Sequence, residues 1–211
     1  MQNKAATSPE AAENTFLRVG GFPEPFLKDS DTFAKRWRKT HLDRILREDL
    51  LDLEKVREIK SIEVLVDLLA DRVGTTINYS SLAQDIQVSP KTIKHWIEIL
   101  ERMYVVFIVP PYSKNIARAI LKEPKVYFYD TGRVKNDPGS RYENMIACFL
   151  LKRNHFLEDT LGDSRSLFYV HNKKKREVDF LTVVDKRPEF LIEVKVSDES
   201  LSRNLKYFDE K

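Results

Sequence analysis

The chain has 211 residues, of which 42% are hydrophobic and 10% aromatic, enough to bury a sizeable core in one large domain or two small ones. Its 36 basic and 33 acidic side chains nearly cancel, to a formal charge of +3, so bulk charge alone does not argue for a polyanionic partner; only local clustering would. The single cysteine, Cys148, excludes an intrachain disulfide and a cysteine zinc cluster, and with no secretory signal or membrane-length apolar run the expectation is a reducing, cytoplasmic setting and no membrane contact.

In chain order, residues 1–14 are small and polar and read as a flexible leader. Gly20-Gly21-Phe22-Pro23-Glu24-Pro25 reads as a turn. After it, Phe33, Trp37, Leu42, Ile45 and Leu46 recur at helical spacing, predicting a long amphipathic helix to Leu53 with a break near Thr40. A second helix through Ile62, Leu65, Val66 and Leu69 closes near Gly74. Tyr79 to Ile86 reads as a short capped helix, and Gln87-Val88-Ser89 as a tight turn. Ser89-Pro90 then supplies an N-cap and a proline at the first helical position for a helix over Lys91 to Met103. Two short helices with facing apolar stripes across so brief a turn predict a helix-turn-helix. The strands Val105–Val109 and Val126–Tyr129 would form the hairpin that a wing requires.

Beyond the loop at Asp137-Pro138-Gly139-Ser140, a helix is expected from about Arg141 to Asn154, with Glu143 in its first turn. Strands follow over Leu167–Val170, Glu177–Val184 and Phe190–Val196, then a helix from about Ser200. Cys148, inside an apolar run, reads as a small buried hydrophobe rather than a reactive thiol.

Strand alternation decides which side chains can carry chemistry. Glu193 and Lys195 share one face of their strand, and Asp179 points opposite to Val178 and Phe180, so pairing of the two strands would bring Asp179, Glu193 and Lys195 together. Two adjacent carboxylates call for a cation, and a divalent ion with oxygen ligands, Mg²⁺ or Mn²⁺ held by Asp179 and Glu193, is the usual answer. A lysine beside them could orient water or balance a phosphate, and Glu143 could complete a metal-assisted phosphodiesterase site. The same spacing also describes the wet face of an ordinary charged strand.

At the start of the second helix of the helix-turn-helix, Lys91, Thr92, Lys94 and His95 stand where such residues contact phosphates or base edges, whereas Glu98 and Glu101 farther along would repel them. The run Lys173-Lys174-Lys175-Arg176 would draw a phosphate backbone toward the acidic strand, or it is a solvated hairpin loop.

The string Glu177-Val178-Asp179-Phe180-Leu181, followed by Leu191-Ile192-Glu193-Val194-Lys195, resembles the paired acidic strands and Glu-x-Lys motif of the PD-(D/E)xK nuclease superfamily. Gly20-Gly21-Phe22-Pro23, the helix-turn-helix and Tyr127-Phe128-Tyr129-Asp130-Thr131-Gly132 stand in order before it. Together they make residues 16–211 resemble the C-terminal half of a large prokaryotic AAA+ ATPase family, in which an ATPase module precedes a domain of unknown function. The resemblance implies that Asp179, Glu193 and Lys195 are the nuclease-like triad with Glu143 as the helix acid, and that the partner is an ATP-driven module. No G-x-x-x-x-G-K-[ST] loop is in the sequence, so ATP is expected only through a module absent from this chain, and the ending at Lys211 reads as that of a fragment.

The expected fold is therefore mixed α/β (α+β): a leader (1–14), a helical ATPase-lid-like segment (15–57), a winged helix (58–130) and a restriction-endonuclease-like α/β domain (131–211). The expected function is DNA binding with a metal-dependent nuclease-like site. The alternatives are a non-catalytic nucleic-acid or protein interaction module and a winged-helix transcriptional regulator.

Overall fold

Ser8-Pro9 starts the first helix, α1 (Pro9–Val19): the Ser8 hydroxyl accepts the Ala11 N–H, and Pro9 occupies a position that needs no donor. In the computed structural model, which describes residues 8–49, 56–113, 123–135, 137–172, 176–197 and 200–209, residues 9–14 are thus helical and not the flexible leader expected of them. The start signal and two alanines outweigh the lack of an apolar stripe at that end. Pro23-Glu24-Pro25, expected to be a turn, opens α2 (Pro23–Lys28) for the same reason, both prolines lying in its first turn. Helix α3 (Asp31–Asp49) runs unbroken through Thr40, whose hydroxyl bonds the Arg36 carbonyl; its expected end at Leu53 lies outside the described residues. Helix α4 spans Val56–Ala70.

Two of the motif glycines are explained by a buried ion pair. Arg38 Nε lies 2.9 Å from Asp130 Oδ2, and its Nη2 donates to the Val19 carbonyl at 2.7 Å. A Cβ on Gly20, whose φ is 88°, would collide with the Asp130 carboxylate, and one on Gly132 with the Arg38 guanidinium.

Helices α5 (Tyr79–Ile86) and α6 (Pro90–Arg102) follow the expected bounds closely. Asn78 accepts the Ser81 N–H, Gln87 turns the chain in the left-handed region (φ 62°), and Ser89 accepts the Thr92 N–H at 3.0 Å. Leu82 and Ala83 of α5 are buried in one core with Ile93, Trp96, Ile97 and Leu100 of α6. Strands β1 (Val106–Val109) and β2 (Lys125–Phe128) pair antiparallel, Val106 opposite Phe128. A single 3-10 turn, Thr131–Arg133, follows.

Helix α7 (Pro138–Leu161), capped by Asp137 through the Ser140 N–H, starts earlier and ends later than expected, so Glu143 sits in its second turn rather than its first. Strands β3 (Arg165–His171), β4 (Glu177–Val184) and β5 (Arg187–Ile192) form an antiparallel sheet in that order, and α8 spans Arg203–Asp209. The β4–β5 hairpin turns on Asp185 and Lys186, both at positive φ (47° and 67°), as a tight two-residue hairpin requires. Strand β5 ends at Ile192, short of the expected Val196, because the Asp179 carboxylate accepts the Val194 N–H at 2.8 Å. Glu193 and Lys195 therefore lie just past the regular strand.

The described residues form a mixed α+β structure of helices and two small antiparallel sheets. The sheets are stitched together: Tyr169 N–H donates to the Pro110 carbonyl (3.0 Å) and Tyr112 N–H to the Tyr169 carbonyl (2.7 Å). One buried cluster runs from Leu42 of α3 to Phe180 of β4. No described helix is long and apolar enough to cross a membrane.

Asn144, fully buried on α7, accepts the Phe128 N–H at 2.8 Å and donates to the Phe128 carbonyl at 2.9 Å and the Thr131 hydroxyl at 3.0 Å. Asn144→Leu keeps the branched shape but takes away these partners, and an unfolding stability lower by about 2 kcal/mol is expected in urea titration. An unchanged midpoint would show that α7 does not depend on this clamp.

Candidate functional site

The hairpin strand β2, the helix α7 and the strand β4 meet at one ammonium group. Lys125, the first residue of β2, is only 1% exposed. Its Nζ lies 2.7 Å from Glu177 Oε1, 3.4 Å from Glu143 Oε1 and 3.7 Å from Asp179 Oδ1, and 5.5 Å from the ring centre of Tyr169. Two residues along β2, on the same strand face, the Tyr127 hydroxyl donates to Glu143 Oε1 at 2.6 Å. The turn after α4 closes over the same acid: a Cβ on Gly74 (φ 79°) would come within 2.7 Å of Glu143 Oε2.

Burial opposes the charge on Lys125, but the three carboxylates outweigh it and the ammonium is held above its ordinary pKa. Burial also lifts the carboxyls of Glu143 and Asp179 above their usual range. For Glu143 the Lys125 charge acts against that rise; for Asp179 the Val194 N–H and Lys125 act against it, while Glu193 and Glu177 add repulsion. Burial, then the Glu143 charge, pushes the Tyr127 phenol far up, so it stays a hydrogen-bond donor at neutral pH.

Of the residues expected to form a catalytic site, the structure brings Glu143 and Asp179 to this cluster. Glu193 is near enough to repel Asp179, one step past the paired positions Phe180 and Ile192. Lys195 is half-buried, its Nζ donating to the Ser200 carbonyl at 3.2 Å and lying 4.0 Å from Glu193 Oε2. Lys125, Tyr127 and Glu177 were missed by sequence reasoning. Lys125 stands at the head of an aromatic strand where local pattern carries no sign of burial, and only the Glu-x-Asp spacing of Glu177 and Asp179 offered a signal.

Carboxylate oxygens are the right donors for Mg²⁺ or Mn²⁺, but the arrangement does not fit such an ion. Among the described residues no three His, Cys, Asp or Glu side chains are grouped to hold a metal, and the Lys125 ammonium stands among the acids that would bind it.

On α6, Lys91, Lys94 and His95 are exposed, opposite the buried Ile93, Trp96 and Ile97. Thr92, expected alongside them as a contact residue, is half-buried with its hydroxyl 2.8 Å from Ser89 Oγ, so its polar end is engaged in the helix cap. Lys173, Lys174 and Lys175 lie outside the described residues; Arg176 is half-buried with its guanidinium 4.2 Å from the ring centre of Tyr207. The Cys148 thiol donates to the Phe128 carbonyl at 3.2 Å and is pushed up to about 12 by burial, which keeps it protonated and unreactive.

The family described as a domain of unknown function, DUF8612, matches residues 12–135. The chain belongs to the DUF8612 family. The matched span holds α5, α6, Lys125 and Tyr127, whereas Glu143, Glu177 and Asp179 lie beyond it. The chain is 26% identical over 207 residues to the uncharacterized protein MJ1544 of Methanocaldococcus jannaschii, covering 93% of this chain and 45% of that protein. It is 26% identical over 208 residues to the uncharacterized protein Rv2008c of Mycobacterium tuberculosis, covering 93% and 46%, and 21% identical over 186 residues to an uncharacterized protein of Haemophilus influenzae, covering 82% and 46%. The chain thus spans a little under half the length of these relatives. No solved structure matches it.

The linkage signs follow from these shifts. Lys125, with a raised pKa, contributes stability that is fully present below its ordinary value of 10.5 and lost as pH rises through the folded value. Glu143 and Asp179, also raised, cost stability as pH rises from their ordinary values of 4.5 and 3.8 through the folded ones. Lys125→Met should therefore lower stability by about 3 kcal/mol near pH 7, where it strands ionised acids, and by much less near pH 4, where they take up protons. Denaturant unfolding at both pH values checks this; an equal loss at each would contradict the pairing.

Proposed function

We propose that this chain is a DNA-binding module, a winged helix joined to a PD-(D/E)xK-like α/β unit, that works in the cytoplasm as the C-terminal partner of an AAA+ ATPase module. In this reading residues 15–57 are the lid-like segment, 58–130 the winged helix and 131–211 the nuclease-like unit. The observation that carries it is the division of α6: its first two turns offer Lys91, Lys94 and His95 to solvent while Ile93, Trp96, Ile97 and Leu100 are buried. Such a helix lays its N-terminal residues against the phosphates and base edges of a groove. The β1–β2 hairpin that follows is the wing. Glu98, exposed a turn further on, marks where the contact stops, because a carboxylate there repels the backbone.

The ATPase partner is supported by length. The relatives are roughly twice as long as this chain, which leaves room for a module of similar size. ATP would act through that module alone.

A second reading, a metal-dependent phosphodiesterase, is favoured by Asp179, which lies beside Glu193 and shares Lys125 with Glu143. No step is assigned to it, because Lys125 stands among the acids a metal would need. Mg²⁺- or Mn²⁺-dependent cleavage of DNA that disappears in Asp179→Asn and Glu193→Gln would establish it; intact DNA with both ions would leave the α/β unit as a binding element.

Gel retardation tests the main reading. The chain should retard duplex DNA, with affinity falling steeply as salt rises, and Lys91→Ala/Lys94→Ala should lower the slope of log affinity against log salt by about 2. No retardation at low salt would overturn the DNA reading, and an unchanged slope would remove α6 from the interface.

A further inference from the structure

We infer that Lys125 is a built-in cation: its ammonium takes the place of a divalent ion among Glu143, Glu177 and Asp179, so that a metal can enter only when the lysine withdraws. Three acids from two elements, α7 and β4, lie within 3.7 Å of Nζ, and at 1% exposure the lysine has no water shell to fall back on. A divalent ion needs carboxylate oxygens at roughly 2.0–2.6 Å on a common centre. The acid oxygens stand instead at 2.7, 3.4 and 3.7 Å from Nζ, spaced around an ammonium rather than drawn in on an ion, and the charge of that ammonium would repel a second cation. The neighbours reinforce this occupant. The Tyr127 hydroxyl takes one lone pair of the Glu143 oxygen that faces Lys125, the Tyr169 ring lies 5.5 Å from the ammonium, and the Val194 N–H takes the other Asp179 oxygen. With Glu143 Oε1 and Asp179 Oδ2 engaged in this way, each of these two acids has an oxygen already committed to a protein donor, and the ammonium on its fixed stem faces the rest.

The position of Lys125 also says what would move it. It is the first residue of β2, held by pairing Val109 opposite it on β1, so displacement of the hairpin would carry the ammonium out of the acid cluster. This inference goes beyond DNA binding and stands whether or not the chain retards DNA.

The test is Mn²⁺ binding read by electron paramagnetic resonance on the whole chain, with no nucleic acid present. Wild type and Asp179→Asn are expected to give the same spectra, since the site is closed to the ion, whereas Lys125→Met should gain a Mn²⁺ site at least about tenfold tighter, lost again in Lys125→Met/Asp179→Asn. A wild-type Mn²⁺ site that vanishes in Asp179→Asn overturns the inference, as does a folded Lys125→Met that binds no more tightly than wild type. Should Lys125→Met fail to fold, the comparison of wild type with Asp179→Asn decides alone.

Discussion

An ammonium group sealed from water must be matched by charge, and that constraint organises the middle of this protein. Lys125 is buried where Glu143, Glu177 and Asp179 converge, which couples the hairpin, the long helix and the central strand of the second sheet. The register of α7 is held from two adjacent residues. Asn144 grips both backbone groups of Phe128, and Glu143 bonds the side chains of Lys125 and Tyr127 on the same strand. Shifting α7 by one residue would break both sets at once.

The helical half and the sheet half are consequently not independent lobes. The end of β1 continues into the edge of β3 through the Pro110 and Tyr169 backbone bonds, which also covers an edge that would otherwise offer unpaired donors. At the other end, the Arg38–Asp130 pair fastens α3 to the 3-10 turn, and Arg133 adds a bond to the Arg38 carbonyl at 2.9 Å.

Local signals were legible in the sequence where they act locally. The short turn Gln87-Val88-Ser89, Ser89-Pro90 and the facing apolar stripes place α5 and α6 almost to the residue, and β4 falls on its expected span because alternation and β-branching agree there. That Asp179 and Glu143 lie close together was legible from strand parity and from the helix that carries Glu143, and both reach Lys125. Long-range capture was not. Strand β5 stops early because a side chain, Asp179, takes the Val194 N–H, and no periodicity encodes that bond. The burial of Lys125 depends on partners between 18 and 54 residues away, so a lysine beside three strand-forming residues reads as an exposed end. The last turns of α7 were hidden by His155, Glu158 and Asp159, polar residues that interrupt its apolar stripe although helix propensity continues through them.

The coupling through Lys125 can be observed without altering the protein. In heteronuclear NMR of the ¹⁵N-labelled chain near neutral pH, a sealed, triply paired ammonium should give a Lys125 Nζ signal whose protons exchange slowly with water, apart from the other lysines. A Lys125 Nζ that exchanges as fast as the exposed Lys91 and Lys94 would place the ammonium in solvent and contradict its burial against the three acids.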